Sequence, residues 1–163
     1  MASALCLLLP LLAACVPEPA ARPAQNVIYT SLAAPASSLN APAARDLING
    51  YRRNHGLGPL ELHPALMLEA ERQADTMAAK GDIAVGARRD IKARLAGTGL
   101  PVSHVRESVS AGYFTIADAF SGWRGSPDHN ATLKLASGKR LGLAATHRPG
   151  SRHNIYWAVI VSD

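Results

Sequence analysis

His129 stands in "SPDHNATL", three residues after Ser126 and immediately behind a serine–proline turn. A neutral imidazole in such a place can take a proton as a general base, ligate a metal, or hold a polar contact in a cleft. Hydrolysis by covalent catalysis would add an activated hydroxyl and oxyanion donors. Ser108, Ser110 and Ser126 are the hydroxyls that sequence offers for that role. No nucleophile-elbow pattern surrounds any of them. A cysteine nucleophile is not available either, because both cysteines, Cys6 and Cys15, lie in the first fifteen residues.

Those first residues read "MASALCLLLPLLAACVPEPAARPAQ". The apolar run is shorter than the roughly 20 residues that a bilayer-spanning helix needs. It ends in Leu12-Ala13-Ala14-Cys15, which resembles a bacterial lipobox, where the cysteine is lipidated and becomes the mature N-terminus. The basic n-region usual in signal peptides is missing, since the first basic residue is Arg22. On this reading residues 1–14 are a lipoprotein signal peptide and Cys6 leaves with it. No thiol then remains for a disulfide or a metal. Val16 after Cys15 gives no aspartate-type inner-membrane retention signal, so the expected location is the envelope of a Gram-negative bacterium, at the outer membrane or in the periplasm. Residues 15–43 are rich in Ala, Pro and Ser and read as a tether, with Val27-Ile28-Tyr29 as an edge strand.

The 163 residues carry 17 basic and 12 acidic side chains, a net charge of +5 with a pI near 9.6. Between Arg124 and Arg152 six basic residues face one acid, Asp128. The aromatic interleaving and recognisable modules of nucleic-acid binders are missing, and an export signal contradicts that function. Anionic envelope surfaces fit the charge better. Hydrophobic residues make up 48% but aromatics only 5%, so Ala, Leu, Val and Ile must fill the core of one domain, residues 44–163.

The elements that must position His129 follow from periodicity and caps. Ala44 to His55 places Leu47, Ile48 and Tyr51 on one helical face. Pro64 to Lys80 carries the stripe Leu66, Ala70, Ala74, Met77 and stops at Gly81. Asp90 to Ala96 makes a short helix, and "VRESVSAGY" a short strand. Thr115 to Asp118 forms a capping box that opens a helix through Phe120 and Trp123. Ser126 and Pro127 then start another, putting Asp128 and His129 in its first turn. "KRLGLAATHR" and "HNIYWAVIVSD" are β-rich runs joined through "PGS", a terminal hairpin. The sum is an α+β chain, a three-layer α-β-α sandwich around one small, mainly antiparallel sheet.

"LINGYRRNHGLGPLELHPALMLEAERQADTMAAKGD", "RESVSAG", "GWRGSPDHNATL" and "LGLAATHRPGSRHNIYWAVIV" together resemble the CAP superfamily (cysteine-rich secretory protein, antigen five, pathogenesis-related protein one), in its bacterial, disulfide-free branch. The resemblance covers about Ala44 to Val161 and implies a solvent-facing cleft with two histidines and two acidic residues, which in many members holds a divalent metal. It matches Glu107 to the family's strand glutamate and His129 to the histidine of its "SPxH" turn. The family's other histidine falls at about Val85, and the asparagine after the glutamate is Ser108.

Two ligands are too few for zinc, which takes three or four, so no metal and no cofactor is expected. The cleft set is Glu107, His129, Ser108, Ser126 and Trp123. The expected function is a lipid-anchored envelope binding module with a degenerate His/Glu cleft, taking a lipid, glycan or protein ligand and no nucleic acid. The alternative is an envelope hydrolase, acting on peptide or wall polymer through Glu107 and His129.

Overall fold

The computed structural model describes residues 24–87 and 90–163. The signal peptide expected at residues 1–14, Cys6 within it and the lipidation expected at Cys15 lie outside the described residues. Four strands form one sheet: β1 (Glu61–Leu62), β2 (Val105–Ala111), β3 (Arg140–His147) and β4 (Ile155–Ser162), in the spatial order β1-β3-β4-β2. β4 runs antiparallel to both of its neighbours, and β1 adds a two-residue parallel pairing with β3.

β4 reads "IYWAVIVS" and all eight residues are buried. It lacks polar alternation because both of its faces are covered. Ile155, Trp157, Val159 and Val161 face one layer, made of α1 (Ala41–Arg53), α5 (Ile116–Gly125) and α6 (Pro127–Leu133). Tyr156, Ala158 and Ile160 face the other, made of α2 (Pro64–Lys80) and α4 (Ile91–Ala96). The molecule is the expected α+β sandwich of three layers.

α2 buries its predicted stripe completely, with Leu66, Ala70, Ala74 and Met77 at 0% exposure. Gly81 caps it at φ 65°, a left-handed turn that glycine adopts without a Cβ penalty. The helix lies close on β3 because Gly142 has no side chain; a Cβ there would overlap the backbone carbonyl of Leu66. α1 starts three residues earlier than its periodicity predicts. Asn40 Oδ1 accepts from the Ala43 N–H at 2.9 Å, and Pro42 needs no donor in the first turn. Near its end Arg52, fully buried, donates to the carbonyls of Gly58, Leu133, Leu135 and Gly138. That guanidinium joins α1 to the end of α6 and the approach to β3.

Two expectations are corrected. Val27 to Tyr29 is no edge strand; it belongs to a 3-10 turn, Ala24–Tyr29. Composition also marks residues 15–43 as tether, yet from Ala24 onward the chain packs on the domain. Leu32 enters the core at 8% exposure, its N–H donates to the Phe114 carbonyl at 2.8 Å, and Ile28, Ala33 and Leu39 pack beside it. Averaged composition hides a few apolar side chains that find a ready surface.

The basic run also divides. Arg124 lies over the rings of Phe120 and Tyr51, Arg140 opens β3, and Arg148 follows its far end. Seven strand steps put those two ends about 23 Å apart, beyond the screening length of roughly 8 Å at physiological salt. Arg140 and Arg148 are therefore largely screened from one another.

Candidate functional site

β2 is an edge strand, and a cleft of about 590 Å³ opens along its outer side. One bank is the short helix α3 (Ala84–Ala87) with α4; the other is the first turn of α6. Glu107, Ser108, Asp128 and His129 all line it, together with the apolar side chains Ile83, Ile91, Val105 and Val109. The two residues carried over from the family pattern therefore meet at one cleft, and His129 reaches it half-buried.

Strand alternation decides what each β2 side chain can do. Ser108 and Ser110 pair in register with Val159 and Trp157 and face the α5–α6 layer. The Ser108 hydroxyl donates to Thr132 Oγ1 at 2.8 Å, and Ser110 Oγ accepts from Trp123 Nε1 at 2.9 Å. Both serines, buried, tie the sheet to the helical layer, Ser108 to α6, which carries His129, and Ser110 to α5. Neither stands as an activated nucleophile.

Glu107 pairs with Ile160 and faces the opposite layer. There Arg94 of α4 bridges two carboxylates, Nη2 to Glu107 Oε2 and Nη1 to Glu69 Oε1 at 2.8 Å. The side chains of Glu69, Arg94 and Glu107 are 5%, 8% and 9% exposed. Exposed Arg72 stands 3.7 Å from the second oxygen of Glu69. Buried charges are tolerated only when paired in this way. Sequence reasoning missed the triad, although a signal existed. Glu69 interrupts the buried stripe of α2 beside Ala70, and a carboxylate there requires a cation from another element.

Trp123 is not a cleft residue. It is 1% exposed and packs edge-on against Trp157, with ring centroids 5.7 Å apart. Ser126 holds the N-cap position of α6, where its side chain makes no capping hydrogen bond, and it does not line the cleft. His104 lies on the surface against Asp163, Nδ1 3.2 Å from Oδ2, and is no stand-in for the missing histidine. His147 ends β3 in solvent, and His153 packs on Tyr156.

The family model described as cysteine-rich secretory protein family, CAP, matches residues 45–161, from within α1 to within β4. The chain belongs to the CAP family. That family is, in general terms, one of binding or interaction modules. Solved CAP structures share the fold at low identity. A cysteine-rich secretory protein from Staphylococcus aureus aligns at TM-score 0.58 and 15% identity, over 79% of this chain and 40% of that one. An outer surface protein from Borrelia burgdorferi aligns at 0.57 and 20%, over 76% and 91%. An extracellular SCP-domain protein from Bacillus anthracis aligns at 0.52 and 17%, over 74% and 39%. The chain thus spans about two fifths of the staphylococcal and Bacillus proteins. No curated protein sequence matches it.

The divalent metal held by many CAP domains does not fit these residues. Val85, at the first-histidine position, is on α3 beside the cleft-lining Ile83 and Ala84. α3 is pressed against α2, since a Cβ on Gly86 would stand 2.6 Å from Met77 Sδ and 2.7 Å from Gln73 Nε2. Among the described residues α3 and the turn before it present Ile83 and Ala84 to the opening. Glu107 is engaged by Arg94. Among the described residues no three His, Cys, Asp or Glu side chains converge as ligands.

Proposed function

We propose that this CAP domain is a cell-envelope binding module, anchored through acyl chains on Cys15, whose β2-edge cleft takes an amphipathic ligand without metal or covalent catalysis. The observation that carries the reading is Arg94. Its guanidinium holds the one strand carboxylate of the cleft, and both serines of β2 are spent on structural hydrogen bonds. What remains accessible is a trough of Ile83, Ile91, Val105 and Val109, bordered by the polar side chains of Asp90, Arg106, Asp128 and His129. A lipid or glycolipid matches that chemistry, its chain against the trough and its polar head at the rim.

The envelope location draws support from the lipobox-like Leu12–Cys15 and from structural neighbours described as extracellular or outer-surface proteins. The test is to equilibrate the full chain with lipid extracted from bacterial envelopes and to weigh what remains bound by native mass spectrometry. Wild type retains one lipid, and Ile83→Glu, which places a charge in the trough, loses it. Turnover of a peptide or wall-polymer substrate by the full chain, abolished by His129→Ala, would replace this reading with the hydrolase alternative.

A further inference from the structure

β3 is the sheet's other working edge, because β1 covers only Arg140 and Leu141 of its eight residues. Among the described residues no strand pairs with the remainder. Antiparallel ladders alternate the direction of backbone groups, and three hydrogen bonds fix the phase here. Arg148 N–H donates toward β4, to Asn154, while the Leu141 carbonyl accepts from His63 N–H on the outer side. Among the described residues Leu143 N–H, also outward, meets only the thioether sulfur of Met67, at 3.4 Å, a weak acceptor. The N–H groups of Ala145 and His147 share that outward phase.

This edge forms the floor of a groove of about 470 Å³. One wall is a single stripe of α2 that includes Met67, Leu68, Glu71 and Asp75; the other is Leu39 and Ala41 at the start of α1. The two walls belong to opposite layers, so the groove straddles the strand edge. It is apolar at the Leu143 end, where Leu68 is 47% exposed, and acidic at the Thr146 end, where the Thr146 hydroxyl holds Asp75 Oδ1 at 2.7 Å. Among the described residues neither Glu71 nor Asp75 has an ion-pair partner.

We propose that this groove is a second interaction site, distinct from the β2-edge cleft, which binds an extended peptide segment of a partner protein by strand addition to β3, with apolar side chains toward Leu39 and Leu68 and a basic side chain at Glu71 and Asp75. Main-chain hydrogen bonds to Leu143, Ala145 and His147 supply register, and the flanking walls supply preference. Charge decides the occupant. A second copy meeting edge to edge would bring two sets of the same carboxylates together. Residues 1–23 hold one basic residue, Arg22, and prolines at 10, 17, 19 and 23 that lack a donor.

The probe is a capped, fluorescein-labelled hexapeptide of alternating valine and lysine, titrated into the full chain by anisotropy and followed on backbone amides by NMR. The result expected is saturable binding, with the largest shifts at Leu143, Ala145 and His147, and no binding of a valine–glutamate peptide. Ala145→Pro removes one outward donor without touching the β4 pairing and weakens binding at least tenfold. Glu71→Lys, on the exposed face of α2, does the same should the proline variant not fold. No saturation, unchanged affinity in both variants, or shifts confined to the β2 cleft would overturn the proposal. So would self-association broken by Ala145→Pro that the peptide does not compete, or a tenfold gain in affinity on deleting residues 1–23, which would give the edge to a second copy or to the chain's own leader.

Discussion

Removing the guanidinium of Arg94 leaves Glu69 and Glu107 buried with their shared cation gone. Losing one partner of a buried pair costs about 3–5 kcal/mol, so Arg94→Met should lower the urea midpoint steeply with little change in slope. Arg94→Lys should recover less than half of the loss, because a point charge cannot span two carboxylates as a planar fork does. Asp163 offers a pH test. Its pKa is lowered from 3.8, chiefly by the His104 backbone N–H and against desolvation, with further help from the His104 ring and the Ser103 N–H. A lowered folded value gives stabilisation that is present above the ordinary carboxylate range and lost as pH falls through the lower one. Asp163→Asn should therefore be less stable than wild type near neutrality, and urea melts of the two should converge in strong acid.

Among the elements, the contact of α2 with β3 depends on the missing side chain of Gly142. Gly142→Val should drive the helix from the strand and lower the melting temperature by about 6–12 °C, given ~3 kcal/mol of overpacking at roughly 2–4 °C each in a chain of this size. α2 was legible to the residue, since a long stripe with a proline start and a glycine stop leaves little freedom. The capping box at Thr115 was equally plain, and its hydrogen bond to the Asp118 N–H is present at 3.1 Å. α3 and β1 were not seen, as four and two residues carry no period. The Val27–Tyr29 strand failed because β-branched residues favour strands only where a neighbour offers an edge.

At the scale of the whole molecule, the sandwich and its family were readable because four segments fall in order along one chain. The cleft was readable in outline. Glu107 and His129 line it together, whereas the Glu69–Arg94–Glu107 triad depends on a meeting of α2, α4 and β2 that no local pattern announces. The proposed function rests on that triad and on Val85, which together leave a cavity able to hold a molecule and unsuited to a cation. It also predicts that membrane-purified chain carries acyl chains on Cys15, seen as a mass shift that Cys15→Ala abolishes. The most direct measurement is calorimetric titration of zinc into the metal-free full chain. No stoichiometric uptake is expected at micromolar concentrations; tight one-to-one binding, lost in both Glu107→Gln and His129→Ala, would contradict the proposed metal-free cleft.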